Sequence, residues 1–140
     1  MTQKKIVVAV DGSKHSDKVI DTAIEYAKLL TAKVTLVHCH KKFPTILGEP
    51  MRNEAIAETL RNAETLIAPY SWRLREADID VEERLMEEPA GTVIPDVARI
   101  EKCDLIIVGS RGRTNLEGLL LGSVTNRVLH TTSCSVLVVK

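Results

Sequence analysis

The sequence has no excess of either charge and no long run of apolar residues. Its 140 residues include 19 lysines and arginines and 19 aspartates and glutamates, so the formal net charge is +0. A general nucleic-acid binder needs a basic field to displace phosphate counterions, so this balance argues against nucleic-acid partners. The longest apolar run, from Ile6 to Val10, has 5 residues, whereas a membrane-spanning helix needs about 20. We therefore expect no membrane partner either.

Cysteine is scarce, and a secretion signal is not evident. The start of the sequence, MTQKK, leads directly into a strand-like run without the apolar core of a signal peptide. Cys39, Cys103 and Cys134 are widely spaced, odd in number and outside any CxxC motif. This pattern is typical of buried thiols in a reducing compartment. The expected location is therefore the cytoplasm.

A metal site is also not expected. His38, Cys39 and His40 are adjacent, but alternation along a strand puts the two histidines on one face and the cysteine on the other. No second group of metal-ligating residues completes such a site.

The residues that are present indicate an ordinary folded domain. Hydrophobic residues make up 44% of the chain and charged residues 27%, which favours a packed core over disorder. A chain of this length is typical of one domain, and neither a linker nor a repeat divides it. We therefore expect a single domain over residues 1–140.

Short β-branched runs bounded by turn residues predict five strands. The first and fourth are continuously apolar, which is typical of strands buried on both faces of a parallel sheet. The third alternates and is predicted to lie at a sheet edge. The predicted strands are Lys4 to Val10, Lys33 to His40, Ile79 to Met86, Asp104 to Gly109 and Ser135 to Lys140.

Apolar residues that recur every three or four positions predict four helices between these strands. Ser16 is the predicted N-cap of the first helix. Pro69 is expected to kink or interrupt the second, and Pro95 falls in the early turns of the third. The predicted helices are Ser16 to Leu30, Arg52 to Ala77, Ala90 to Lys102 and Ser123 to His130.

The alternation of strands and helices predicts a parallel sheet with right-handed crossovers. Such sheets bind ligands at the carboxyl ends of the strands, where the strand order reverses. Two strands end in conspicuous loops, which contain Asp11-Gly12-Ser13 and Gly109-Ser110-Arg111-Gly112. If these strands are neighbours, both loops face one crevice.

The most informative motif is Gly109-Ser-Arg-Gly112, followed after nine residues by Gly122-Ser-Val-Thr125. Glycines let the backbone approach a ligand closely, and a helix start offers free N–H groups and a positive dipole end to an anion. Ser123 and Thr125 would add hydroxyl donors. Residues 109–140 carry a local net charge of +3, against −5 in residues 52–88. Each feature alone is also ordinary turn and cap chemistry, but together they favour a phosphate-binding loop.

Other nucleotide and catalytic motifs are not found in the sequence. It contains neither GxxxxGK[ST] nor a GxGxxG after the first strand, which argues against a P-loop NTPase and a dinucleotide-binding domain. No catalytic triad or dyad is indicated by spacing. Asp11 is a candidate base or metal ligand, but an Asx-turn with Gly12 explains it equally well. His15 lies in the loop after the first strand, where it could approach phosphate, although exposure to solvent is the simpler expectation.

The glycine motif, together with VAVDGS near the start and SVLVVK at the end, resembles the nucleotide-binding branch of the universal stress protein family. The resemblance covers the whole chain. It implies an open five-stranded parallel sheet with strand order 3-2-1-4-5 and helices on both faces. This is the Rossmann-like, adenine nucleotide alpha hydrolase-like fold. The chain departs from the family at Glu87-Glu88-Pro89, where Gly-x-Pro is frequent.

The resemblance also implies a site for ATP, ADP or AMP, with or without Mg²⁺. Asp11 would lie near the ribose and adenine, Ala9 would line the pocket, and Cys39 would meet the adenine through its backbone. The ribose and phosphates would follow the first part of the glycine motif, and the start of the last helix would hold the phosphates. These two segments comprise Gly109, Ser110, Arg111, Gly112, Arg113, Thr114, Asn115, Gly122, Ser123, Val124 and Thr125.

Three functions follow from this resemblance. The first is a cytoplasmic ATP-binding stress-response or signalling module that dimerises through its last strand, Val136 to Val139, and acts on an unidentified downstream protein. The second is a slow ATPase or phosphotransfer enzyme that uses the same pocket. The third is a nucleotide-free dimerisation module, against which the intact glycines argue.

Overall fold

The computed structural model describes residues 2–111 and 121–140. These residues form strands and helices in strict alternation, as the sequence predicts. The strands are β1 (Lys5–Ala9), β2 (Lys33–His40), β3 (Val81–Glu87), β4 (Leu105–Gly109) and β5 (Ser135–Val139). The helices are α1 (His15–Leu30), α2 (Met51–Glu76), α3 (Ala90–Ile100) and α4 (Ser123–Thr131).

The five strands form one parallel sheet in the order β3-β2-β1-β4-β5. This confirms the predicted fold class and strand order. The continuously apolar strands β1 and β4 lie next to each other inside the sheet, and the alternating strand β3 lies at one edge. Because β1 is followed along the chain by β2 on one side and neighbours β4 on the other, the strand order reverses between β1 and β4.

Two apolar layers cover the sheet, one on each face. Side chains of β1 alternate between them, with Ile6 and Val8 on one face and Val7 on the other. Residues of α1 and α2, such as Ile20 and Ile67, pack on the first face. Residues of α3 and α4 pack on the second face. The buried sheet is therefore a rigid base for the loops at its carboxyl edge.

One prediction about helix boundaries is wrong, and of the two effects expected of Pro69 the interruption does not occur. Ser16 lies inside α1, which has Lys14 at its N-cap position, because the Ser16 hydroxyl donates to Asp11 Oδ1 (3.1 Å). Pro69 does not interrupt α2, which is continuous for 26 residues. Proline removes one backbone hydrogen-bond donor from a helix, but the helical turns on both sides of Pro69 keep α2 continuous. Over the part of the chain that is described, none of the helices combines the length and apolar character needed to cross a membrane.

Candidate functional site

A cavity of about 270 Å³ opens at the carboxyl ends of β1, β2 and β4. Its inner wall is apolar and includes the buried side chains of Val37, Ile94 and Val108. Its rim is polar. Of the residues predicted for the site, the following line the cavity: Ala9, Asp11, Cys39, Gly109, Arg111, Gly122, Ser123, Val124 and Thr125. An apolar interior with a few convergent polar groups is typical of a small-molecule site.

The turn after β1 is built around Asp11. Its Oδ1 accepts hydrogen bonds from the Ser13 amide (2.9 Å) and the Ser16 hydroxyl (3.1 Å), and its own amide donates to Ser16 Oγ (3.2 Å). The contact with Ser13 is the Asx-turn that the sequence allows. Asp11 therefore orders the turn that forms the cavity rim.

Gly12 lets this turn pass beneath α2. Its φ is +82°, and a Cβ at this position would lie 2.8 Å from Leu66 Cδ1. Both the backbone conformation and the close approach of α2 therefore require glycine. The second helix is thus part of what fixes Asp11 at the cavity.

The end of β2 forms the opposite wall. His38 is buried, and its Nδ1 lies 2.9 Å from the carbonyl oxygen of Val10, which ties the ends of β1 and β2 together. Cys39 lines the cavity, and burial raises the pKa of its thiol to about 11, with a further contribution from the Glu88 charge. A thiol with this pKa is protonated at neutral pH. Cys39 is therefore a neutral wall residue.

The start of α4 faces the same cavity. Its N-cap residue is Gly122, and no side chain among residues 2–111 and 121–140 caps it. The first turn contains no acidic residue. The amides of Ser123, Val124 and Thr125 are the first of the helix, so they have no acceptor within it and lie at the positive end of the helix dipole. A helix end of this kind is suited to an anion.

Short hydrogen bonds hold α4 against the end of β4. The Gly122 amide donates to the Ser110 carbonyl (2.6 Å), and the Ser110 amide donates to Val139 O (2.7 Å). The Thr125 hydroxyl donates to Gly109 O (2.6 Å). The expectation that this hydroxyl donates to a ligand is therefore corrected, because its proton is used within the protein. The amide of Thr125 still faces the cavity edge.

Ser110 differs from its neighbours in the motif. It is buried and does not line the cavity. Its backbone amide and carbonyl groups hydrogen-bond to the ends of β5 and α4, so Ser110 joins these elements to β4 and does not contact the cavity. The predicted residues Gly112, Arg113, Thr114 and Asn115 lie outside the described residues.

Three residues of the rim were not among the predicted site residues: Ser13, His15 and Glu88. Ser13 and His15 enter the cavity at the start of α1, and Glu88 follows β3. The Glu88 amide donates to His40 O (2.9 Å), which holds this loop against the end of β2. The sequence signal for Glu88 is its position directly after the predicted third strand. The carboxyl ends of parallel strands lie on the same side of a sheet, so Glu88 lies on the same side as the glycine motif, which follows the fourth strand.

Metal-ligating side chains do not converge in the described ranges, where no group of three or more His, Cys, Asp or Glu residues could hold an ion. The two histidines of β2 are turned toward backbone carbonyls. His38 Nδ1 lies beside Val10 O, and His40 Nδ1 lies 2.8 Å from Lys41 O. The described lining of the cavity thus offers the first amides of α4, the guanidinium group of Arg111 and an apolar wall, which suit a ligand with an anionic end and a flat apolar end.

Comparison with known proteins gives one consistent family. The model of the universal stress protein family matches residues 2–140. Universal stress protein MJ0531 of Methanocaldococcus jannaschii is 34% identical over 140 residues, which cover 98% of this chain and 82% of that protein.

Two solved structures share the fold over nearly the whole chain. The hypothetical protein MJ0577, solved for a structure-based assignment of its biochemical function, aligns with a TM-score of 0.88 at 27% identity, covering 100% of this chain and 97% of that one. A universal stress protein in complex with cAMP aligns with a TM-score of 0.70 at 26% identity, covering 99% and 98% of the two chains.

Proposed function

The chain belongs to the universal stress protein family, and from this premise we propose that it binds an adenine nucleotide in the cavity between β1 and β4. The observation that carries the proposal is the uncapped start of α4, which faces an otherwise apolar cavity. The cAMP complex of a similar protein supports an adenine nucleotide as the class of ligand.

In this proposal the ligand lies across the ends of three strands. The adenine lies at the end of β2, against the Cys39 backbone and the Ala9 wall. The ribose lies near Asp11, at the end of β1. The phosphates lie at the end of β4, between Gly109 and the amides of residues 123–125, with Arg111 on the rim. Backbone amides and a guanidinium group are the usual phosphate donors in proteins.

The residues present fit such a ligand. The Ser13 hydroxyl is buried without a hydrogen-bond partner at the rim, and the α4 amides have no side-chain cap. If Mg²⁺ accompanies the phosphates, the cavity carboxylate that would help to hold it is that of Asp11, because Glu88 lies beside Cys39 at the adenine end. The ion would neutralise phosphate charge. Residues 112–115 of the glycine motif would follow the ribose and phosphates, as the resemblance implies.

We further propose that the protein is a single Usp domain that works as a homodimeric, nucleotide-dependent stress-response module in the cytoplasm. β5 is an edge strand, and its residues Val136 to Val139 are only partly buried. An open apolar edge favours pairing with a second copy. Nucleotide occupancy would then alter the surface offered to a downstream protein. The dimer predicts a solution mass of twice 15.5 kDa by light scattering.

The first experiment is to identify the small molecule released when protein purified without added nucleotide is denatured. Bound ATP supports binding with slow hydrolysis. Bound ADP or AMP leads to a timed hydrolysis assay, in which product formation that Asp11→Ala abolishes would favour the slow ATPase or phosphotransfer function. An empty cavity that also fails to bind ATP at millimolar concentration would favour the nucleotide-free module.

A charge variant tests the position of the phosphates. Ser123→Asp places a carboxylate in the first turn of α4, which favours the helix dipole but repels phosphate. We expect nucleotide affinity to fall by about tenfold or more while thermal stability is kept, because helix-end charges and phosphate hydrogen bonds are each worth about 1 kcal/mol. Ser133→Asp, an exposed site beyond α4, is the control. An equal loss in both variants would contradict the placement.

A further inference from the structure

The hydroxyl of Ser13 has no use within the described structure. Less than 1 Å² of its Oγ is accessible, and it has no hydrogen-bond partner. Its backbone, by contrast, is fully engaged: the amide donates to Asp11 Oδ1 and the carbonyl accepts from the Ser16 amide (3.0 Å). A buried hydroxyl without a partner costs free energy. Because Ser13 lines the cavity, rotation about its χ1 angle that turns the hydroxyl toward the cavity would let a ligand supply that partner.

His15 stands over the end of β4. It is the first residue of α1, and its Cβ lies 3.8 Å from the position a Cβ would take on Gly109, while Arg111 O lies 3.0 Å from the same point. His15 also lines the cavity. The end of β4 is where the proposed function places the phosphates, so His15 belongs to the phosphate end of the cavity and not to the adenine end.

The starts of α1 and α4 enclose this end from opposite faces of the sheet. α1 packs on the layer that contains Ile6 and Val8, whereas α4 packs on the layer that contains Val7. Like α4, α1 begins without a side-chain cap. A phosphate chain held first by the amides of α4 would cross the sheet edge over Gly109 and reach Ser13 and His15.

The charges around this position are compatible with phosphate. Asp17, the one acidic residue of the first turn of α1, lies 3.6 Å from Arg73 of α2. Asp11 Oδ1 accepts two internal hydrogen bonds. Glu88 lies beside Cys39, at the adenine end. On the α1 side the polar side chains that line the cavity at this position are then Ser13 and His15, with exposed Lys14 adjacent but outside the cavity lining.

We propose that Ser13 and His15 form a subsite for the phosphates beyond the first, so that this chain distinguishes nucleoside di- and triphosphates from monophosphates. The inference rests on the proposed function, because it presupposes an adenine nucleotide in the cavity. Ser13 donates its hydroxyl proton to a phosphate oxygen, and the His15 ring donates an N–H. These are specificity contacts and involve no bond making or breaking.

Binding of AMP, ADP and a non-hydrolysable ATP analogue to Ser13→Ala and His15→Ala tests the subsite by calorimetry. Each variant should lose about tenfold or more in affinity for ADP and for the ATP analogue, which corresponds to one hydrogen bond to a charged group. Affinity for AMP should stay at the wild-type value, which also shows that each variant is folded. Lys14→Ala is the matched control, because it removes a positive charge from the same turn without touching the cavity lining.

Three results would overturn the subsite. Equal losses for AMP and for the ATP analogue would place Ser13 and His15 against the shared part of the ligand. A loss in Lys14→Ala as large as that in His15→Ala would mean that distant charge, and not contact, sets the affinity. Wild-type protein that binds none of the three nucleotides would overturn the proposed function as well, whereas unchanged variants of a binding-competent protein would overturn the subsite alone.

Discussion

Two cavities lined by residues within 2–111 and 121–140 can be compared, and the one with the larger volume is the poorer candidate for an anion site. The second cavity, of about 430 Å³, lies between α3 and α4. It is lined by Thr92, Pro95, Asp96, Ala98, Arg99, Lys102, Cys103, Arg127, Thr131, Thr132, Ser133 and Cys134. It includes the C-terminal ends of both helices, whereas the first cavity, at the carboxyl edge of the sheet, receives the N-terminal ends of α1 and α4.

This difference indicates that the direction of the helices at a cavity, more than the volume of the cavity, decides whether it suits an anion. A helix C-terminus presents carbonyl oxygens and a negative dipole end, which basic side chains such as Arg99 and Lys102 complement. The cations of the second cavity therefore have a local structural explanation. In the first cavity the donors are backbone amides without side-chain caps, so the field favours a bound anion.

The largest expected effect comes from breaking the turn that forms the first cavity. Gly12→Ala forces an L-residue to a φ of +82° and places its Cβ 2.8 Å from Leu66. We expect a loss of about 2 to 3 kcal/mol in the free energy of unfolding, measured by denaturant titration, together with weakened nucleotide binding. The cause is displacement of either the Asp11 turn or α2.

The control for this variant is Gly48→Ala, since a Cβ at Gly48 would have no neighbour within 4 Å. Its stability should stay at the wild-type value or rise slightly, because alanine restricts the unfolded chain more than glycine does. A Gly12→Ala protein as stable as this control would show that the Asp11 turn can relax, and this turn would then not be what fixes the rim of the first cavity.

Two threonine variants, one at each end of α4, test the comparison between the first and the second cavity. Thr125→Val removes the hydroxyl that donates to Gly109 O in the first cavity. Because Thr125 is buried, the carbonyl loses its partner, and we expect a loss of about 1 to 3 kcal/mol in unfolding free energy and a weaker hold on nucleotide phosphates.

Thr132→Val is the matched change in the second cavity. There the Thr132 hydroxyl accepts from the Cys134 amide (3.0 Å) at a half-buried position, where water can replace the lost partner. A smaller loss of stability and no change in nucleotide affinity are expected. Equal effects of the two variants on nucleotide binding would contradict the assignment of the phosphates to the start of α4.

The sequence predicts the sheet and its helices better than it predicts single contacts and individual site residues. Apolar periodicity predicts the sheet and helices because burial repeats along each element, and the strand ends then predict where the cavity lies. Helix boundaries depend on single contacts. The Ser16 hydroxyl could cap a helix by its residue type, but the folded turn directs it to Asp11.

Individual site residues are less predictable because loop side chains take their direction from tertiary structure. The glycine motif includes Ser110, although its backbone groups connect strands and its side chain lies away from the cavity. His15 and Ser13 follow an ordinary turn, and only the packing of α1 beside β4 brings them to the rim. Glu88 depends in the same way on the loop held by His40 O.

The smallest expected effect concerns two thiols, that of Cys39 in the first cavity and that of Cys103, which lines the second cavity together with Cys134. Burial raises the pKa of Cys39 in the first cavity to about 11 and that of Cys103 in the second also to about 11. Both should therefore alkylate slowly with iodoacetamide at pH 7.5 and faster as the pH approaches 11, since the thiolate is the reactive form. Because the pKa values in the folded chain exceed the unfolded value of 9.0, unfolding releases protons above pH 9 and stability should fall there as pH rises.

Bound nucleotide should lower the alkylation rate of one of the two thiols and leave that of the other unchanged. At pH 9, added ADP is expected to slow alkylation of Cys39, which lines the first cavity, while Cys103 reacts at the same rate with or without ADP. Peptide mass spectrometry after timed quenching measures both rates in one sample, so Cys103 is the internal control. Equal protection of both thiols would indicate that ADP stabilises the whole fold against opening. Protection of Cys103 alone would move the nucleotide to the second cavity, and helix direction would then be the wrong criterion for choosing between the two.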